Sequence, residues 1–252
     1  MESALTSFQM GLSHANQVQV YQSLPSTNTF AKELVRSGSV HGTVIWALEQ
    51  TRGRGRRDRT WISDNTSLTF SLIWRFPNYD HTALIPLAVG LGLVQALYVF
   101  SNKLRVKWPN DIWANDRKVS GILCESYKNN QGVWVIAGIG INVNRPKFEA
   151  PFPTASLEDL VGHPLPRLAV LIQALQGADL GLTRLLEGEL NLEADFERFG
   201  NFLNRQVLLH SHGSTWPAVA RRVLPDGRLM VEDETGQLQV VMPEEVSLRF
   251  AE

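Results

Sequence analysis

The segment IWANDRKVSGILCE, residues 112–125, decides how the chain folds. Runs of β-forming residues at 112–114 and 118–125 flank Asn115 and Asp116. These two residues tolerate the positive φ of a tight turn between antiparallel strands. The segment therefore predicts a β-hairpin, and the apolar run at residues 133–142 predicts one further strand.

Upstream of the hairpin, helices and strands are predicted in an irregular order. Ser26, Thr27 and Asn28 are polar cap residues before an amphipathic run that ends at Gly38, a pattern typical of a short helix. Strands are predicted at residues 43–48, 67–74 and 105–108, and a buried helix at residues 83–100. A parallel Rossmann sheet would need regular alternation, so we expect an α+β fold with a mixed, largely antiparallel sheet and packed helices.

The character of the chain changes after about residue 151. Residues 167–186 and 192–199 predict two helices, the second of which ends at Gly200. Short strands are then predicted at residues 206–210, 218–224, 228–232 and 237–242, separated by turn residues. They predict a small β-barrel or sandwich and two domains, residues 1–200 and 201–252.

The composition excludes several classes of protein. The chain has 252 residues with 24 Lys+Arg against 25 Asp+Glu, so packed domains are expected and any affinity for anions must come from a local cluster. The lone Cys124 excludes an internal disulfide and fits a reducing, cytoplasmic compartment. The N-terminus carries no readable export signal. Pro86 and Gly90 interrupt the one long apolar run, so no membrane association is expected.

The sharpest chemical feature is RGRGRRDRTW, residues 52–61. Its five arginines and one aspartate concentrate positive charge in a chain that is otherwise neutral. Glycine exposes backbone N–H groups, and guanidinium groups match phosphate oxygens in two-pronged geometry. The pattern favours a mobile loop that closes over a polyphosphate, with solvent-facing arginines such as Arg56. A solvated basic turn or an RNA-contacting stretch is the alternative.

A second feature is KWPND, residues 107–111, at a strand end. It would fix the carboxylate of Asp111 near an ammonium group. Lys118 on the returning strand adds a second positive charge, whereas Lys107 is expected to leave its strand toward the turn. An ordinary surface hairpin is the alternative explanation.

A third feature is AGIGINVN, residues 137–144. Gly138 and Gly140 lie on one face of the predicted strand, where missing side chains let a flat ligand approach the backbone. Close packing of a strand against a helix is the alternative explanation.

Together these stretches resemble the biotin protein ligase family, specifically the bacterial biotin–[acetyl-CoA-carboxylase] ligases. The resemblance is carried by Ser26-Thr27-Asn28, by Gln50 with GRGRRDRTW (53–61), and by KWPNDIW (107–113), RKVSGILCE (117–125) and GIGINVN (138–144). It covers about residues 20–145, and residues 200–252 resemble the family's SH3-like domain. Since only about twenty residues precede Tyr21, we expect a monofunctional enzyme without the DNA-binding domain, and no DNA partner.

The resemblance implies an ATP-dependent ligase. Biotin would attack the α-phosphate of ATP to give biotinyl-AMP, and a lysine of the biotin carboxyl carrier protein of acetyl-CoA carboxylase would then displace AMP. Mg²⁺ would accompany ATP rather than occupy a protein cage. Family members often associate, so a homodimer is possible, with residues 133–140 as a candidate edge or neighbouring strand.

The resemblance also implies roles for individual residues. The catalytic candidates are Lys118 at the carboxylate–phosphate junction, Arg54 and Arg56 at the phosphates, and Asp111, which would orient the incoming lysine or accept its proton. The loop at residues 53–61 would order over the intermediate and exclude water. The residues implied to bind biotin or the adenylate are Ser26, Thr27, Asn28, Gln50, Gly53, Arg54, Gly55, Arg56, Trp61, Lys118, Gly138, Gly140 and Asn142.

Three other functions stay open on the sequence alone. Lipoate or octanoate ligases share the fold and the adenylation chemistry. A nucleic-acid-binding module would use the arginine loop and the barrel, although residues 226–245 are acidic. A metal hydrolase would need a third ligand beside His210 and His212.

One residue departs from the family pattern. Asp58 stands where the family usually has glycine. A carboxylate there would pair with a neighbouring arginine and change the order or closing rate of the loop.

Overall fold

Eight strands form the main sheet of the computed structural model, which describes residue 4 and residues 6–38, 40–57, 59–146, 153–211 and 214–250. They are β1 (Thr6–Gln9), β2 (Gln17–Leu24), β3 (Thr43–Gln50), β4 (Ser67–Phe76), β5 (Arg105–Lys107), β6 (Asp111–Ala114), β7 (Arg117–Asn129) and β8 (Gly132–Asn142). Their order is β1-β2-β3-β4-β8-β7-β6-β5. Only β2 and β3 pair in parallel among these neighbours. The expected mixed, largely antiparallel sheet is confirmed.

The hairpin predicted from residues 112–125 is the β6–β7 turn. Asn115 and Asp116 both have positive φ, at 50° and 55°, as the tight turn requires. On its other side β7 pairs with β8, and β8 pairs with β4. Because both sides of β8 are hydrogen-bonded, it is an inner strand. Of the two alternatives expected for residues 133–140, an edge or a neighbouring strand, the edge is therefore wrong. The edges of this sheet are β1 and β5.

Helix α1 (Thr27–Arg36) covers one face of the sheet. Ser26 caps its first turn by accepting the Thr29 N–H, and Gly38, with a φ of 93°, follows its C-terminus, which confirms both predicted ends. Phe30 and Val35 pack in a core cluster with residues of β2, β3, β4 and β8. This packing holds the first turn of α1 beside the end of β3.

The opposite face is covered by α2 (Ile85–Ala96) and α4 (Arg167–Leu186), with the shorter α3 (Leu157–Val161) and α5 (Leu192–Phe199) nearby. Glycines let α2 and α4 approach closely: a Cβ on Gly92 would overlap the carbonyl oxygen of Gly177, and one on Gly181 would overlap that of Ala88. The segment Thr82–Val99 has the length and the mean hydropathy, 1.9, of a membrane span. It is nevertheless packed as a core helix, as predicted for residues 83–100.

Five antiparallel strands form the C-terminal sheet, in the order β12-β11-β10-β9-β13. They are β9 (Gln206–Ser211), β10 (Ser214–Val223), β11 (Leu229–Glu232), β12 (Leu238–Val241) and β13 (Ser247–Phe250). Segments next to this sheet contact the end of β5 in the main sheet. The indole Nε1 of Trp108 donates a hydrogen bond to the Gly227 carbonyl at 3.0 Å, and the Asn201 N–H donates to the Val106 carbonyl at 3.3 Å.

The close contact between α2 and α4 predicts an unusual response to Gly92→Ala. In an isolated helix this change would stabilise by about 1 kcal/mol. Here the new methyl group overlaps the Gly177 carbonyl oxygen, so the free energy of unfolding should fall by about 1–3 kcal/mol. Urea denaturation measures the difference. The control Gly11→Ala, where a Cβ meets no atom within 4 Å, should change stability by less than about 0.5 kcal/mol; equal effects would contradict the packing.

Candidate active site

A cavity of about 710 Å³ opens between the main sheet, the arginine loop at residues 52–61 and the C-terminal sheet. It collects twelve of the fourteen residues predicted for the site; Gly53 and Asn142 lie outside its lining. A Cβ on Gly53 would overlap the Trp61 carbonyl oxygen. The Asn142 amide donates to the carbonyls of Lys118 and Ala155 at 3.3 and 3.2 Å. Both excluded residues therefore support the walls of the cavity.

The floor of the cavity is polar and uncharged. Gln50, at the end of β3, accepts hydrogen bonds through Oε1 from the N–H and the hydroxyl of Thr27, at 2.8 and 3.1 Å. The Ser71 hydroxyl lies 2.7 Å from both Thr27 Oγ1 and Asn28 Oδ1. Ser26, Thr27 and Asn28 are all buried. The first turn of α1 thus presents a fixed set of donors and acceptors to a ligand.

The two glycines of β8 make room for protein side chains. A Cβ on Gly138 would overlap the amide oxygen of Asn28, and one on Gly140 would overlap the indole of Trp61. The ammonium of Lys118 lies 5.8 Å from the centre of that indole. Asn28 of α1 and Trp61 of the arginine loop therefore lie directly against these glycines, and both glycines still line the cavity.

The arginine loop is ordered by its own backbone hydrogen bonds. The Gly55 N–H donates to the Arg59 carbonyl at 2.7 Å, and the Trp61 N–H donates to the Gly53 carbonyl at 3.0 Å. Arg57 has a φ of 55° at the tip. Asp58, the departure from the family pattern, lies outside the described residues, and so does His212.

The sequence predicts that Arg56 faces solvent, but the structure places it in a half-buried position. Its guanidinium donates to Asn110 Oδ1 at 3.0 Å and to the Pro243 carbonyl of the C-terminal sheet. Burial, followed by the charge of Arg57, lowers the pKa of Arg56 below its ordinary value. Arg57 itself donates to the carbonyls of His210 and Glu244 at 3.2 and 3.1 Å. Pro243 and Glu244 lie in the turn that joins β12 to β13, and His210 lies in β9. All three are more than 150 residues from the loop, so the loop sequence carries no sign of them.

The charged end of the cavity contains both lysines of the central hairpin region. Lys118 Nζ, on the returning strand, forms an ion pair with Asp111 Oδ1 at 2.6 Å. The sequence predicted an ammonium beside this carboxylate and gave Lys118 as a second positive charge nearby. Lys107 also lines the cavity, although the sequence predicted that it leaves its strand toward the turn. Its ammonium lies 4.0 Å from the ring centre of Trp113. Burial lowers the pKa of Lys107 to about 8, against the opposing charge of Asp111.

The C-terminal sheet supplies cavity residues that the sequence did not single out. Arg205, Arg249 and Phe250 line it. Arg205 forms an ion pair with Asp116 at 2.9 Å and lies 4.0 Å from the Phe250 ring centre. No local motif marks these residues, since the fold alone brings β13 to the hairpin. Among the described residues, eight Lys or Arg side chains line the cavity against two Asp, which makes its charged end a site for anions.

The match to known proteins agrees with this geometry. The profile of the biotin/lipoate A/B protein ligase family matches residues 20–142. The bifunctional ligase/repressor BirA of Escherichia coli (strain K12) is 32% identical over 253 residues, which cover 96% of this chain and 77% of that protein. The chain belongs to the biotin/lipoate A/B protein ligase family.

Two further relatives place the chain within the family. The structure of biotin protein ligase from Aquifex aeolicus in complex with biotin and ATP matches with a TM-score of 0.80 and 28% identity, covering 93% of this chain and 99% of that one. The biotin–[acetyl-CoA-carboxylase] ligase of Mycobacterium tuberculosis (strain ATCC 25618 / H37Rv) is 27% identical over 225 residues, covering 86% of this chain and 83% of that protein.

The buried amine of Lys107 predicts pH-dependent binding of anions. With a pKa of about 8, the amine is roughly 90% protonated at pH 7 and roughly 10% at pH 9. The protonated form attracts anions, so affinity for inorganic pyrophosphate should fall as the pH rises through and beyond this pKa. Calorimetric titration should show that the affinity of the parent protein for pyrophosphate falls between pH 7 and pH 9 by a factor about tenfold larger than the affinity of Lys107→Met does. The methionine has no charge to lose. The same pH dependence in both proteins would exclude Lys107 as an anion ligand.

Proposed function

We propose that the protein is a biotin–[acetyl-CoA-carboxylase] ligase, which activates biotin as biotinyl-5′-AMP and transfers it to a lysine of a biotin carboxyl carrier protein. The observation that carries the proposal is the joining, in one cavity, of an uncharged hydrogen-bonding floor to a cluster of cations. The two ends of biotin match these two parts of the cavity. Its ureido head is neutral and forms hydrogen bonds, and its carboxylate reacts with the α-phosphate of ATP.

The cavity floor favours biotin over lipoate and octanoate. Thr27, Asn28 and Gln50 offer buried donors and acceptors, and the ureido head has N–H and C=O groups to pair with them. A lipoyl or octanoyl chain has neither at its far end. Its binding would cover these polar groups without adding a hydrogen bond to them, whereas each hydrogen bond of the ureido head adds about 0.5–1.5 kcal/mol.

The cations suit the adenylation step. A carboxylate oxygen of biotin attacks the α-phosphorus of ATP, the bond from that phosphorus to the bridging oxygen breaks, and pyrophosphate leaves. Lys118 is proposed to stabilise the negative charge that builds at the junction, with Arg54 and Arg56 at the phosphates. Lys107 and Arg249 are further candidates, because both lie in the same cavity.

Mg²⁺ is proposed to arrive with ATP. Among the described residues, no three His, Cys, Asp or Glu side chains are grouped so as to hold a metal ion, and Asp111 already faces Lys118. The metal would supply charge neutralisation at the phosphates, while the protein side chains orient them.

Asp111 is proposed to act in the second step. The amine of the acceptor lysine attacks the carbonyl carbon of biotinyl-AMP, and AMP leaves with the electrons of the broken C–O bond. The amine must lose a proton, and Asp111 is a carboxylate at the cavity wall. Once an anion draws Lys118 away, Asp111 becomes available to orient the incoming amine or accept its proton.

The arginine loop is proposed to retain the intermediate. Trp61 covers β8, and Arg56 and Arg57 tie the loop to the C-terminal sheet. A closed loop excludes the water that would hydrolyse the mixed anhydride.

We infer a ligase domain at residues 1–200 and an SH3-like domain at 201–252, with the second domain closing the cavity. The reduced Cys124 and the need for ATP favour the cytoplasm.

The proposed function is tested by transfer to an acceptor. Purified protein with biotin, ATP, Mg²⁺ and a biotin-carrier domain from the same organism should add one biotin mass to the carrier. Lipoate and octanoate in place of biotin should add nothing. Mass spectrometry of the carrier gives the result. If a folded protein leaves an active acceptor unmodified, the assignment is wrong.

Lys118→Ala should slow formation of biotinyl-AMP. Loss of one preorganised donor to a developing charge costs about 2.7–4 kcal/mol, roughly 100–1,000-fold in rate. Lys118→Arg should restore only part of the lost rate, because a planar guanidinium group replaces a compact ammonium charge. Single-turnover release of pyrophosphate measures the rate. The exposed Lys103 provides the control Lys103→Ala, and a parental rate for Lys118→Ala would remove Lys118 from the reaction.

A further inference from the structure

Glu125, on β7, lies behind the cavity wall and not in its lining. Its carboxylate accepts hydrogen bonds from three side chains, two of α1 and one of the arginine loop. These are Asn28 Nδ2 at 3.0 Å, Lys32 Nζ at 2.7 Å and Arg54 NH1 at 3.2 Å. Asn28 belongs to the cavity floor and Arg54 to the arginine loop, so one carboxylate contacts both parts of the site.

Glu125 sets the orientation of the Asn28 amide. The nitrogen of this amide has two hydrogens, and its two acceptors are the Leu123 carbonyl at 3.1 Å and Glu125 Oε2 at 3.0 Å. Rotating the amide by 180° would turn its oxygen toward two other oxygens. Its oxygen is therefore held toward Ser71 Oγ, 2.7 Å away, and above Gly138. The floor consequently presents an acceptor at this point, which suits a ligand N–H.

Glu125 also holds Arg54 in the loop. The guanidinium NH1 lies 3.2 and 3.4 Å from the two carboxylate oxygens. Burial pushes the pKa of Glu125 upward, but hydrogen bonds from Lys32 and Asn28 and the charges of Lys32 and Arg54 outweigh it and hold the pKa below its ordinary value. The group is therefore an acceptor only, as its three donors require.

We propose that Glu125 is a positioning residue that couples recognition of the biotin head group to closure of the arginine loop. It acts through Asn28 on the ligand N–H and through Arg54 on the loop. An amide in its place would have one acceptor oxygen for donors on both sides, so either Asn28 or Arg54 would lose its partner. The inference rests on the proposed function, and it adds a residue that does not touch the substrate.

The test compares Glu125→Gln with the parent in two measurements. The dissociation constant for biotin, from calorimetry, reports on the Asn28 contact, and the release rate of biotinyl-AMP reports on the Arg54 contact. We expect Glu125→Gln to weaken biotin binding and to speed the release of biotinyl-AMP. The two effects combined should be about tenfold or more, which is the loss expected from one hydrogen bond to a charged group. The control Glu232→Gln removes a carboxylate from an ion pair with Arg221 in the C-terminal sheet and should change neither.

An Arg54→Ala background separates positioning from a general structural effect. In that background Glu125→Gln should still weaken biotin binding but should no longer speed release, since its loop contact is already gone. A release rate that rises by the same factor in both backgrounds would overturn the coupling. Unchanged biotin binding and unchanged release in Glu125→Gln would overturn the whole inference. If the parent protein itself neither binds biotin nor releases pyrophosphate, the proposed function fails first, and this inference fails with it.

Discussion

The site is organised around the concentration of positive charge in one cavity. In the part of the chain that the structure describes, eight Lys or Arg side chains line it, with two Asp. Like charges so confined repel each other. The fold limits this repulsion by giving individual cations a carboxylate: Asp111 for Lys118, Asp116 for Arg205 and Glu125 for Arg54. Each carboxylate holds one cation in place, while the excess positive charge remains available to an incoming anion.

Backbone carbonyls hold the cations at the tip of the arginine loop. Arg56 and Arg57 donate to the carbonyls of Pro243, His210 and Glu244. A carbonyl orients a guanidinium without neutralising its charge, so the loop keeps its attraction for phosphate. The same contacts make the C-terminal sheet a wall of the cavity. Closure of the site therefore depends on contacts between segments as far as 187 residues apart.

This separation explains which features can be predicted from the sequence. The caps of α1, the β6–β7 turn and the bounds of α4 and α5 depend on residues within a few positions of each other, and all were predicted. β13 is a four-residue strand that pairs with β9 and packs Phe250 against Trp113 of the hairpin, and the sequence does not predict it. The contact of Arg54 with Glu125 spans 71 residues, so no local pattern reveals it. Sequence motifs predict many residues of the site, but the fold is needed to show which carboxylate pairs with which cation.

The glycines of β8 show that one motif can have two physical causes. The sequence suggests that Gly138 and Gly140 leave space for a ligand, and in the structure they also leave space for Asn28 and Trp61 while lining the cavity. Asn28 comes from the first turn of α1, whereas Trp61 ends the arginine loop. Because the two glycines are two positions apart, they lie on the same face of the strand. The head-group floor and the loop therefore pack side by side on β8. A shift of β8 would move both at once, so the relative position of the two halves of the cavity is set by the centre of the sheet.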